Sequence, residues 1–238
     1  MSSFILKIIA CITMFIDHLG YVIYGGPSFF NYIGRIAFPI FAFQISQGYA
    51  HTKNLNKYII RLFIFAVISQ VPFYLFCSSF VETPSLNIFF TLILGLIAII
   101  SYDKIKNKFI SLLAILAMCI LADVLNVDYG SFGVLIIFTF YIFRNTKLGT
   151  VLAFLFVISV HYGERIAQVY ITNYTHPNFS QELFMTNVVN KQLIYLAFNL
   201  LPLIPILLYN KKQGKKMKYF LYLFYPVHLL FLYIITTL

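Results

Sequence analysis

Nine apolar runs, at about 4–24, 29–50, 57–77, 86–101, 108–125, 130–143, 147–161, 187–209 and 218–236, follow one another along this chain with only short polar stretches between them. A helix needs about 20 apolar residues to cross the hydrocarbon of a bilayer. Within that layer each backbone polar group must find its partner inside the protein, which leaves helices and closed barrels as the spanning structures. Runs of this length predict helices. The fourth to seventh are short, so they borrow flanking residues or sit where the bilayer thins. The expected fold is all-α, a polytopic membrane helix bundle of about nine transmembrane helices, with residues 1–238 forming a single unit and no soluble domain attached. Composition points the same way. Charged residues make up 10% of the chain, against about 25% in a soluble domain, too few to cover a water-facing surface.

The polar stretches set an orientation. Lys53, Lys57 and Arg61 follow the second run, Lys104, Lys106 and Lys108 the fourth, Arg144 and Lys147 the sixth, and five lysines between 211 and 218 the eighth. The alternate stretches carry Glu82, Asp123, Asp128, Glu164 and Glu182, with Arg165 and Lys191 as their basic residues. Basic clusters at every second loop place the N-terminus in the cytoplasm and the C-terminus outside. The net charge of +10 therefore reports topology and not a nucleic-acid partner. Asp17-His18 interrupts the first apolar run and no small-residue cleavage site follows, so the N-terminus does not read as a cleaved signal. No internal repeat is evident, which weakens a secondary-transporter reading.

Ionisable side chains within spanning helices are costly and usually face a protein interior or a water-filled cavity. Asp17 and His18 lie about 10 Å below the outer end of the first helix, at 1.5 Å rise per residue. Arg35 lies at a similar depth in the second run. The short loop through Gly25, Gly26 and Pro27 makes the two helices antiparallel neighbours, so the three residues share a layer. Pairing between Asp17 and Arg35 offsets much of the cost of burying both. Neighbours in sequence point about 100° apart on a helix, so Asp17 does not orient His18. A histidine at this depth suits general-base chemistry; a purely structural ion pair is the alternative.

Further along the second run, Gln44, Gln47, Gly48 and His51 fall on one helix face leading to the cytoplasmic end. They form either the lining of a path from the cytoplasm or hydrogen-bonding glue between helices. Ser69, Gln70 and Pro72 read the same way. His228, two residues after Pro226, is a further ionisable group near mid-membrane. Asp128 and Tyr129 stand at the outer mouth, beside Gly130 and Gly133, where an acidic group suits a cationic or amine ligand. Cys11, Cys77 and Cys119 read as apolar filler without metal-ligand spacing, and no metal site is expected. His161 and His176 lie on the outer side and receive no role. The stretch 162–186 reads as the longest extramembrane segment, and its two glycosylation-acceptor strings, Asn173-Tyr174-Thr175 and Asn178-Phe179-Ser180, read as chance. No phosphate loop, zinc-ligand helix or nucleophile elbow is present.

Several strings together resemble the TraX family: Leu6-Lys7-Ile8-Ile9-Ala10 leading to Asp17-His18-Leu19-Gly20, the run Gly34-Arg35-Ile36-Ala37-Phe38-Pro39, and His51-Thr52-Lys53-Asn54. Ser69-Gln70-Val71-Pro72-Phe73, Asp128-Tyr129-Gly130 and Phe224-Tyr225-Pro226-Val227-His228 extend the likeness over essentially the whole chain. The resemblance implies a bacterial plasma-membrane protein within a superfamily of transmembrane acyltransferases. It implies transfer of an acetyl or other acyl group from cytoplasmic acetyl-CoA to an amine or hydroxyl at the outer face. His18 would be the base, with Asp17 and Arg35 in support. Gln44, Gln47, His51, Gln70, Asp128, Tyr129 and His228 are candidates for holding substrate. The acceptor would be a surface glycan or a protein N-terminus, as in the acetylation of conjugative pilin. A transporter or flippase using the same charges for coupling, and a non-catalytic assembly factor, remain alternatives.

Overall fold

A computed structural model describes residues 1–174, 180–216 and 218–238. Its described residues form helices joined by short turns; Leu86 and Val127 make a lone parallel bridge. In chain order the helices are α1 (Ser3–Tyr24), α2 (Phe29–Gly34), α3 (Ala37–His51), α4 (Leu55–Cys77), α5 (Ile88–Lys104), α6 (Lys108–Val124), α7 (Gly130–Ile142) and α8 (Lys147–Tyr174). There follow α9 (Gln181–Phe184), a π-helical turn (Met185–Val189), α10 (Asn190–Leu200), α11 (Leu203–Leu207) and α12 (Lys218–Thr237).

The helix ends follow local chemistry. Asn54, Asn87 and Asn107 cap α4, α5 and α6, each side chain accepting from a backbone N–H in the first turn, which satisfies donors a helix start leaves open. α1 stops at Gly25, whose positive φ of 65° costs a glycine little.

Residues 29–50, expected as one crossing, are two helices. Arg35 and Ile36 turn out of the helix with N–H bonds to the carbonyls three residues back, Tyr32 and Ile33. The cause is Pro39. It has no N–H for the carbonyl of Arg35, and its ring crowds that carbonyl, so regular helix cannot run through this point. The break leaves Arg35 in a turn between helices. A second difference concerns α8, which continues past 161 to Tyr174, so most of the stretch assigned outside the membrane is helix. Gln168 donates to Glu164 at 3.0 Å and Thr172 to the Gln168 carbonyl at 2.8 Å, giving this extension polar bonds along its own face. His176 and most of the second acceptor string fall outside the described residues.

Four helical segments are long and apolar enough to cross a membrane: Ser3–Tyr24, Leu55–Cys77, Lys147–Thr172 and Met185–Leu207, with Gly130–Ile142 and Tyr222–Thr237 shorter and apolar. α3, α5 and α7 supply much of the buried core, Phe38, Ile40, Leu96, Ile99, Ile136 and Phe140 among it. α6 lies on α5 and α7, α8 on α7 and α10, and α12 on α1 and α4. Facing outward are Phe63, Val67 and Val71 of α4, Leu112 and Leu116 of α6, and Val227 and Phe231 of α12. Water does not tolerate so much contiguous apolar surface on a monomer, and lipid does. This is a membrane protein.

Polar contacts tie one end of the bundle together. Ser3 donates to Gln44 at 2.7 Å. The hydroxyls of Tyr49 and Tyr141 both donate to Asp103, at 2.7 and 3.0 Å, and hold its carboxyl below the usual carboxylate range. Backbone bonds join Ser3 and Phe4 to Lys212 and Gln213. The basic clusters gather at this end. At the other end, Leu86 exchanges backbone bonds with Asn126 and Asp128.

Candidate functional site

Asp17, His18 and Arg35 line a single cavity of about 540 Å³ at the end away from the basic clusters, together with Asp128 and Tyr129. The turn that Pro39 forces brings Arg35 into this wall. Its Nε donates to the Asn31 carbonyl at 3.2 Å, and its Nη2 stands 3.6 Å from Asp17 Oδ1. Asn31, fully buried in α2, donates its side-chain amide to Asp17 Oδ1 at 2.9 Å and to the Asp17 carbonyl at 3.2 Å. Gly34 permits this: a Cβ there would lie 2.2 Å from Asp17 Oδ1. His18 points elsewhere, as adjacent helical positions must. Its Nδ1 lies 2.8 Å from Nε2 of His228 on α12, with the rings 18° from parallel. Phe76 meets the His18 ring edge-on.

Tyr129 has φ of +66°, rare for a residue with a side chain and a common mark of functional positions. Its ring stacks on Phe38, 3.9 Å between centroids. Asp128, half-buried beside it, has its carboxyl pushed up to about 6 by burial, against the pull of Arg35. The cavity adjoins a vestibule of about 750 Å³ that shares Arg35, Asp128, Tyr129 and Arg165 with it and is also lined by Glu164, Lys191 and Tyr195.

The opposite end holds a cavity of about 510 Å³ with a different chemistry. Lys7, Arg61, Lys211, Lys215 and Lys216 line it, and no Asp or Glu does. Arg61 Nε donates to the Tyr222 hydroxyl at 3.1 Å, and its guanidinium lies over the rings of Tyr58 and Tyr222. Gln44, 9% exposed, uses Oε1 to accept from Ser3, while its Nε2 has no partner among the described residues. A buried amide left open in a polyanion-friendly cavity has the chemistry of a ligand contact. Met14, Phe41, Ile88 and Tyr225 line both this cavity and the one that holds His18. The two lie back to back across that partition.

The structure thus brings Asp17, His18, Arg35, Asp128 and Tyr129 together, and Gln44, Gln47 and His51 into the basic cavity. Two expected ligand residues lie elsewhere. Gln70 lines none of the three cavities. Its amide donates to the Ser85 carbonyl at 3.2 Å and accepts from Asn87, so it anchors the start of α5. His228 stands behind His18, 4% exposed and off the cavity wall. His161, given no role from sequence, stacks on Phe132 at 3.9 Å and lines the vestibule. Asn31, bonded to Asp17, and Lys7 and Arg61, which line the basic cavity, were not among the candidate residues from sequence. Asn31 fell inside the expected crossing 29–50 without comment, Lys7 entered only through a string of the family resemblance, and Arg61 read as a topology signal.

Apolar helices around an apolar core, with a basic cavity backed against one that holds His18 and a partly buried Asp–Arg pair, define a membrane protein with two internal cavities. The chain belongs to the TraX protein family, whose model matches residues 2–236. A relative from Dichelobacter nodosus, described as "Probable fimbrial assembly protein FimC, serogroup H1", is 29% identical over 249 residues, covering 96% of this chain and 93% of the relative. No solved structure matches.

Proposed function

We propose that this protein is a multi-pass acyltransferase of the bacterial plasma membrane, with about nine crossings, its N-terminus in the cytoplasm and its C-terminus outside. Acyl-CoA, acetyl-CoA above all, binds in the basic cavity from the cytoplasm, and an amine or hydroxyl acceptor reaches the His18 cavity from the outer face. The observation that carries this reading is the pair of cavities meeting at Met14, Phe41, Ile88 and Tyr225, one lined by five Lys or Arg and the other by His18 and Arg35. The CoA phosphates face the lysines, Arg61 and the open amide of Gln44. The thioester reaches the partition. His18 Nε2 takes the proton as the acceptor's nitrogen or oxygen attacks the thioester carbon. Arg35 offsets the charge on the carbonyl oxygen of the tetrahedral adduct. The adduct collapses by breaking the C–S bond, and the sulfur leaves with the proton from His18. The products are acylated acceptor and free CoA. The fimbrial relative and the pilin association of the family support an acceptor in surface-fibre assembly, a pilin-like amine or a surface glycan.

The test has two parts. CoA at about a hundred times its Kd should stabilise the detergent-solubilised protein by roughly 2.7 kcal/mol, read as a rise in thermal midpoint. His18→Ala should keep that rise and lose transfer of labelled acetyl to surface material. Absence of any shift at saturating CoA overturns the reading. The relative's description favours a second one, in which the protein assists fimbrial assembly without chemistry; His18→Ala would then leave assembly intact.

A further inference from the structure

We propose that His228 is a positioning residue that selects the tautomer of His18. The inference rests on the acyltransferase reading for its purpose, but its geometry stands on hydrogen bonds alone. His228 Nδ1 lies 2.8 Å from the carbonyl oxygen of Phe224, one helical turn back. A carbonyl only accepts, so Nδ1 of His228 bears a hydrogen. In an uncharged ring the other nitrogen, Nε2, then has only its lone pair. That lone pair faces His18 Nδ1 at 2.8 Å, so the hydrogen between them belongs to His18. A neutral His18 with its hydrogen on Nδ1 has a bare Nε2. The nitrogen free of the relay is therefore the one able to take a proton from an acceptor.

The surroundings leave His228 as the sole orienting group for His18 among the described residues. Asp17, next in sequence, is engaged by Asn31 and Arg35. His228 is itself clamped: Phe224 stacks on it, and Phe15 and Tyr225 meet it edge-on. A carboxylate in this place would hold the same tautomer more strongly but would add a charge beside the Asp17–Arg35 pair, deep in the membrane, where each charge is expensive. An imidazole supplies the acceptor without that charge. When His18 takes a proton, its Nδ1–H becomes a charge-assisted donor to His228, which strengthens the bond as the reaction proceeds.

The experiment reads the tautomer directly. Protein labelled with ¹⁵N in its histidines is placed in detergent micelles, His18 is assigned by the signals lost in His18→Ala, and ring nitrogen–proton correlations report which nitrogen carries the hydrogen. The wild type should show His18 as the Nδ1–H form. His228→Ala should shift it toward the Nε2–H form. His228→Gln, whose amide oxygen replaces the accepting nitrogen, should restore the Nδ1–H form. Turnover should fall about tenfold to a hundredfold in His228→Ala, as for other orienting partners, with KM for acetyl-CoA unchanged and partial recovery in His228→Gln. An Nε2–H tautomer in the wild type, or a tautomer indifferent to His228, overturns the proposal. If His228→Ala does not fold, the wild type and His228→Gln decide it. If the wild type transfers no acyl group, the acyltransferase reading fails while the tautomer measurement still judges the relay.

Discussion

Asp17 is held more closely by Asn31 than by Arg35: the amide of Asn31 donates to Oδ1 at 2.9 Å, while the guanidinium stands 3.6 Å from the same oxygen. A tighter ion pair would tie Arg35 to the carboxylate. The amide shares the negative charge, and Arg35 keeps donors for the cavity. Asn31→Ala should draw Arg35 onto Asp17. The lost buried bonds should lower stability by about 1–3 kcal/mol, seen as a lower thermal midpoint, and transfer should weaken while CoA stabilisation persists.

Gly34 and Gly163 make a matched pair for mutation to Ala. At Gly34 the new Cβ meets Asp17 Oδ1 at 2.2 Å and Cγ at 2.3 Å, so the carboxylate must move; overpacking of this kind costs about 1–3 kcal/mol. Thermal midpoint and turnover should both fall. At Gly163, inside α8, a Cβ meets nothing within 4 Å. There Ala should be neutral or should stabilise by up to about 1 kcal/mol, from helix propensity.

On the acyl-CoA reading proposed above, charge in the basic cavity sets donor affinity. Arg61→Ala removes a guanidinium anchored on Tyr222, and should weaken CoA binding about tenfold, the equivalent of one charge-assisted bond. Lys215→Ala with Lys216→Ala, both exposed, should act more weakly and lose most of its effect at about 1 M salt, where screening reaches about 3 Å. Calorimetric titration with CoA at two ionic strengths checks both.

Asp128 gives stability a pH dependence of unusual sign. Its carboxyl sits at about 6 in the folded protein and near 3.9 in an unfolded chain. Between about pH 4 and 6 the folded state holds the proton and the unfolded state does not, so this group's contribution falls as pH rises through that window. Asp17 and Arg35 are the charged groups that act on it, in opposite directions. Thermal midpoints measured from pH 4 to 7 should show the wild type losing ground to Asp128→Asn as pH rises. A constant difference between the two would contradict the assignment.

Much of this was legible in the sequence, for reasons of scale. Apolar runs mark helices because lipid demands them, and a short loop with a fixed rise per residue was enough to set Asp17, His18 and Arg35 at one level. What could not be read depends on distant partners. His18 and His228 are 210 positions apart, and no local spacing announces that their nitrogens meet. Gln70 has the same composition whether it lines a path or anchors Asn87. The lysines and Arg61 read as topology signals, and only the fold shows some of them turned into one cavity. The extension of α8 was missed because its polarity looked like a loop, whereas Glu164, Gln168 and Thr172 bond along the helix.

The 210-residue separation of the two histidines has a bearing on how the protein is made. α12 is synthesised well after α1 and α4, and until it joins them the His18 imidazole lacks its partner His228 and the partition lacks Tyr225. The proposed relay therefore depends on a helix made long after the one it serves, and packing of α12 against α1 is the step that assembles it.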